Sequence, residues 1–153
     1  MSLGREAELE RILHREVPLT AHMGVRVAGY DGRELVVHAD LEPNINIHGT
    51  AFGGSLYAIC AITCWGLLHL KFEEAEIAAQ SVLGDGQIHY RLPVTGLIES
   101  RCRVPEGEAL GDFLARVKSG SRASIQLQAD VITGRGRGVT FRGRYSASLV
   151  KSV

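Results

Sequence analysis

The loop and helix start at PNINIHGTAFGGSLY, Pro43 to Tyr57, place two asparagines, a histidine, a threonine and a Gly-Gly pair ahead of a stretch with no formal charge before Lys71. A helix opening at Gly53-Gly54 leaves its first N–H groups without intrahelical acceptors. Without side chains there, a ligand carbonyl can come close, and the helix dipole favours negative charge developing on its oxygen. This is an oxyanion hole in outline. The same glycines serve equally well a tight turn and close packing, and the residues alone leave both readings open. Around the pair, Asn46 offers an amide donor. Asn44 either meets a ligand or caps the loop through its own backbone. Thr50 either orients Asn46 or bonds a turn amide. His48 is the nearest candidate base, although a histidine in such a loop is more often a hydrogen-bonding residue. Ser55 fits a helix cap or a small packing residue, since no histidine and acid can be assigned to activate it.

These residues need a scaffold. REAELERILHREV repeats Leu9, Ile12 and Leu13 at helical spacing and predicts a short amphipathic helix stopped by Pro18. MGVRVAGYDGRELVVHADL predicts a hairpin about Asp31-Gly32. The apolar core of the central helix, Leu56 to Leu70, is too short to span a bilayer comfortably and suits the buried centre of a soluble fold. Strands are expected over 77–92 and 97–104 with PVTG as the turn between them. Leu110, Phe113, Leu114 and Val117 then share one helical face that ends at Gly120. ASIQLQADVIT and GVTFRGRYSASLV alternate as a terminal hairpin. The sum is an α+β chain, a curved antiparallel sheet around one apolar helix, read as a single domain over residues 1–153.

Of 153 residues 45% are hydrophobic, enough for a core without disulfides or metal. Lysine plus arginine equal aspartate plus glutamate at 17 each, so no overall field gathers nucleic acid or anionic lipid. The first 80 residues nevertheless hold six basic and eleven acidic side chains and the rest eleven and six. Arg116, Lys118, Arg122, Arg135 and Arg137 are therefore candidates to meet a phosphate or an acidic partner. TGRGRGVTFRGR raises RNA binding as a competing class, but no aromatic stacking platform completes such a site, and a hairpin turn with wet arginines explains the spacing. Asp85, between glycines, is read as exposed or as supporting the site from behind. Cys60, Cys64 and Cys102 suit a reduced compartment, and they lack the partners a zinc site needs. No secretion signal is evident at the N-terminus, so a cytoplasmic protein without metal is expected.

The NxNxHGTxFGGSLY loop entering a helix, the HYRLPVTG strand ending and the order of elements resemble the hotdog fold, and within it the family long labelled putative thioesterases. The likeness runs from about Pro18 to Val150. In some relatives this domain follows an acetyltransferase domain; here it is expected to stand alone. The resemblance implies acyl groups carried as thioesters on the phosphopantetheine of acyl carrier protein or coenzyme A, no other cofactor, and homodimers with sites between subunits, with tetramers left open. Many such thioesterases carry an acid on the central helix as base or nucleophile. Aligning the Gly-Gly pairs puts Ala61 there, and no acid is expected anywhere in the helix, which places ordinary hydrolysis in doubt. Proteins with this asparagine loop resemble malonyl-acyl carrier protein decarboxylases. By motif position Asn46 is then catalytic with the Gly53 and Gly54 amides, and Asn44, His48, Thr50, Phe52 and Ser55 contact substrate. Hydrolysis of an acyl thioester and non-catalytic acyl binding are the alternatives. An uncharged pocket is expected to help expel the carboxylate.

Overall fold

The computed structural model describes residues 4–151. Helix α1 (Arg5–Glu16) buries Leu9 and Leu13. Pro18 ends it, as expected, but also starts a second short helix, α2 (Pro18–His22), because proline suits a first helical position. Strands β1 (Arg26–Tyr30) and β2 (Glu34–Ala39) form the hairpin about Asp31-Gly32. There the Asp31 carboxylate accepts the Arg33 and Glu34 N–H groups. Next come the central helix α3 (Gly53–Glu74), β3 (Ala79–Tyr90), β4 (Ile98–Arg103), α4 (Ala109–Lys118), β5 (Ala123–Thr133) and β6 (Gly136–Leu149).

All six strands join one antiparallel sheet in the order β1-β2-β4-β5-β6-β3. That order corrects one expectation: β3 and β4 are not joined by a hairpin turn. β3 pairs with β6 at one edge and β4 lies between β2 and β5, so the PVTG segment is a crossover. Proline and glycine give the chain its bend there without saying which strands become neighbours. The sheet curls at a bulge between Leu83 and Asp85 and at another between Val131 and Ile132, since an extra residue sharpens local twist.

Helix α3 packs against β2, β3, β4, β5 and β6, which covers Ile59, Cys60, Cys64, Leu67 and Leu68 almost completely. By length and composition alone it could cross a membrane, and half of its most apolar window is buried inside the fold. It also outruns the expected apolar core, gaining Glu73 and Glu74 in its last turn. These acids lie about 30 Å from its first residue, at 1.5 Å per residue, and are tied up locally. Glu73 meets His69, while Glu74 meets Arg5, Lys71 and the Tyr30 hydroxyl. Midway along α3, the Ala61 carbonyl accepts a bond from the buried Tyr145 hydroxyl at 2.7 Å. Cys60, Cys64 and Cys102 are free and buried.

Candidate functional site

Backbone geometry builds the loop before α3. Asn46 Oδ1 accepts the N–H groups of His48 at 2.8 Å and Thr50 at 3.1 Å, while Asn46 N–H donates to the Thr50 carbonyl at 2.8 Å. Gly49 closes this turn at φ +79°, a left-handed conformation that glycine adopts without strain. From the side chain of Asn46, Nδ2 donates to Thr50 Oγ1 at 2.8 Å and weakly to the Ala51 carbonyl at 3.4 Å. Asn46 therefore orients Thr50, the reverse of one expectation. Because the Thr50 oxygen is occupied as an acceptor, its own hydrogen is free to point elsewhere.

Asn44 anchors the loop from beneath. It is buried, its Nδ2 donates to the carbonyls of Met23 and Asp40 at 2.8 Å each, and its own carbonyl accepts the Phe52 N–H at 2.7 Å. Its Oδ1 is buried without a partner. The crossover is stitched in as well, with Ala51 N–H bonded to the Val94 carbonyl at 2.8 Å.

Helix α3 then begins with Phe52 at its cap and no side-chain cap bond. Its first intrahelical bond is Leu56 N–H to the Phe52 carbonyl, and among the described residues no acceptor faces the N–H groups of Gly53, Gly54 and Ser55. Both glycines leave room for aromatic neighbours. A Cβ on Gly54 would lie 2.4 Å from Phe52 Cε2, and one on Gly53 would lie 3.2 Å from the Tyr90 hydroxyl oxygen. That hydroxyl donates to the Gly53 carbonyl at 2.8 Å. Burial raises the Tyr90 phenol above its usual range, so it remains a donor at neutral pH.

A cleft of about 480 Å³ opens at this point, walled by Thr50, Ala51, Gly53, Gly54 and Leu56 on the loop and helix and by Tyr90 to Val94 on the crossover. Thr50, Gly53 and Gly54 thus stand together as the sequence suggested. Asn46 stands behind Thr50 and not on the wall, because its amide is spent on the turn. Asn44, His48, Phe52 and Ser55, expected at the substrate, do not line this cleft: Asn44 is buried in the loop anchor, His48 is exposed on the turn, and Phe52 covers Gly54 from outside. Tyr90 and Arg91 went unassigned in the sequence, although HYRLPVTG holds both. The pocket is not lined by uncharged residues alone either, since the exposed Arg91 is part of its wall.

Elsewhere, a larger depression of about 650 Å³ on the outer face of the sheet is lined largely by charged residues, of which Arg101 pairs with Glu34 and Arg137 with Asp130. Asp85 is exposed and paired with Arg144 at 2.6 Å, far from a supporting role. The proposed basic cluster does not assemble. Arg116, Lys118 and Arg122 flank the start of β5 and Arg135 and Arg137 its end, about 30 Å apart at the rise of a strand. Among the described residues no group of acids, cysteines and histidines could hold a metal.

Residues 6–149 match the family described as "Putative thioesterase (yiiD_Cterm)". A solved protein of unknown function from Chlorobaculum tepidum superposes with a TM-score of 0.89 at 33% identity, covering 95% of this chain and 94% of its own. One from Shewanella oneidensis, described as a putative thioesterase, superposes at 0.85 with 30% identity, covering 94% and 97%. A thioesterase from Haemophilus influenzae shares the fold at 0.73 with 14% identity, covering 99% of this chain and 95% of its own.

Proposed function

We propose that this chain, which belongs to the putative thioesterase (yiiD_Cterm) family and has the hotdog fold, acts on acyl thioesters and decarboxylates a malonyl thioester to an acetyl thioester. One observation carries the reading. Unpartnered N–H groups of Gly53 and Gly54 open on a cleft whose wall bears no carboxylate, on a helix with no acid before Glu73. Hydrolysis needs a base to ready water, whereas decarboxylation needs only a place for electrons to go.

With the thioester carbonyl at the start of α3, the bond between C2 and the carboxylate carbon breaks and carbon dioxide leaves. The electron pair moves onto the carbonyl oxygen as an enolate, which the helix amides and the Thr50 hydroxyl stabilise; one such donor is worth about 3 kcal/mol. C2 of the enolate then takes a proton from water, giving the acetyl thioester. Asn46 acts by fixing Thr50 and the turn. Coenzyme A or acyl carrier protein supplies the pantetheine arm, and the protein works in the cytoplasm without a cofactor of its own.

The descriptions of the relatives favour hydrolysis as the second reading. Offered malonyl-acyl carrier protein and malonyl-coenzyme A in turn, a decarboxylase leaves the corresponding acetyl thioester in the mass spectrum. Free thiol plus malonate would instead establish hydrolysis, and an unchanged thioester would leave only binding. A homodimer fits the long free edge of β3, where Val82 is 56% exposed, and the loop that presents Ile47 at 94% exposure. A sedimenting species of monomer mass, 16.6 kDa, would exclude it.

A further inference from the structure

Arg91 is the one charged residue on the wall of the cleft that holds the free helix amides. Its side chain has no hydrogen-bond or ion-pair partner among the described residues, and no acid lines the cleft to neutralise it. Its base is fixed: the N–H groups of Arg91 and Leu92 both donate to the Gly138 carbonyl, at 2.8 and 3.0 Å, so the guanidinium swings from an anchored point beside Tyr90. The residue is exposed, so its guanidinium is held by water alone and is available to an anion carried by the ligand. The cleft is at the small end for ligand pockets, so every group on its wall lies near the helix start.

We infer that Arg91 recognises a carboxylate carried on the acyl group itself, and so selects short thioesters with a distal carboxylate over neutral ones of similar size. This rests on the acyl-thioester reading given above. With the thioester carbonyl against Gly53 and Gly54, the carboxylate of a malonyl group lies only two bonds from the carbonyl carbon and stays inside the same cleft. The phosphate of the pantetheine arm lies at the other end of that arm, outside it. Guanidinium and carboxylate match as a two-pronged pair. The contact has a kinetic signature, because during decarboxylation charge leaves the carboxylate for the thioester oxygen. Arg91 holds the bound substrate more than the transition state, so it lowers KM without raising kcat.

The test compares malonyl and butyryl thioesters on the wild type, Arg91→Ala and Arg91→Lys. In Arg91→Ala, KM for the malonyl thioester is expected to rise roughly tenfold or more while kcat stays within about twofold or increases. Affinity for the butyryl thioester, measured by competition, should stay unchanged, and Arg91→Lys should recover part of the malonyl affinity. An unaltered malonyl KM in Arg91→Ala, with acetyl thioester still formed, overturns the role of Arg91 and leaves the decarboxylase reading standing. If the wild type forms no acetyl thioester, the decarboxylase reading fails, and the competition still decides: lost preference for malonyl over butyryl in Arg91→Ala supports the carboxylate site, and an equal ratio overturns it. A parallel loss of affinity for both thioesters would mark Arg91 as merely structural and overturn it too.

Discussion

The Tyr90 hydroxyl donates to the Gly53 carbonyl at 2.8 Å, fastening the end of the edge strand β3 to the first residue of the central helix. This bond joins the two walls of the cleft. Tyr90→Phe removes it while keeping the ring, and the net loss of one such bond is about 1 kcal/mol. In a chain of this size that lowers Tm by roughly 2–4 °C. Turnover is expected to fall further than this small destabilisation accounts for, because the helix start loses its lateral anchor. A thermal melt and a kcat measured well below Tm check the two effects separately. Equal kcat in both proteins would show that the bond serves stability alone.

Gly54 separates stability from activity in another way. Alanine at this position places a methyl group 2.4 Å from Phe52 Cε2, but the atom it meets is the outer part of a half-exposed ring that can swing aside. Alanine is also the better helix former, by up to about 1 kcal/mol. Gly54→Ala should therefore fold with a Tm near that of the wild type, yet lose roughly tenfold or more in kcat/KM as the methyl and the displaced ring crowd the free amides. Adding Phe52→Ala relieves the ring and should restore part of the loss. If the single variant is fully active, ligand does not approach the Gly54 amide.

Asn46 performs two jobs that one substitution can divide. Its Oδ1 accepts two backbone N–H groups and its Nδ2 holds Thr50 Oγ1. Asn46→Asp keeps the acceptor and should preserve the turn. The Thr50 hydroxyl would then donate to the new carboxylate, withdrawing its hydrogen from the cleft, while a negative charge beside the site opposes the enolate. Turnover is expected to drop on the order of a hundredfold with little change in the circular dichroism spectrum or Tm. Thr50→Val should approach the same loss, and Thr50→Ser should avoid it. Undiminished kcat in Asn46→Asp would remove both residues from oxyanion stabilisation.

The central helix was the most legible part of the sequence, because an uncharged run from Pro43 to Leu70 can rest only inside something, and alternating strands supply the wrapping. Strand order was not legible at PVTG. Proline and glycine bend the chain whether it turns back beside itself or crosses to a distant strand, and the choice rests with the long-range pairing of β4 to β2 and β5. At the site, Gly53 and Gly54 could be found from the physics of a helix start. The division of labour between Asn46 and Thr50 could not, since it depends on the φ of Gly49 and the closure of one turn. Arg91 escaped because neighbours in a regular strand point to opposite faces, and only the departure from β3 into the crossover puts Tyr90 and Arg91 on one wall.

The cysteines give a prediction that tests the packing of the central helix directly. Cys60 and Cys64 sit on α3 and Cys102 on β4, and all three are wholly buried. Burial pushes the Cys60 thiol up to about 12 and moves Cys64 upward as well. The thiolate is the form that attacks a thiol reagent, and at pH 8 a thiol with a pKa near 12 is ionised on the order of one part in ten thousand. Raising the pH to 9 increases that fraction tenfold and still leaves the sulfur shut off from reagent. The native protein should therefore show no prompt labelling at pH 8 and three labelled thiols once denatured. Labelling should proceed at the rate at which α3 separates from the sheet, independent of reagent concentration when that is high. Rapid labelling of even one thiol in the native state would mean that the helix is not enclosed, and the helix start could not then hold its amides in a fixed position for the reaction.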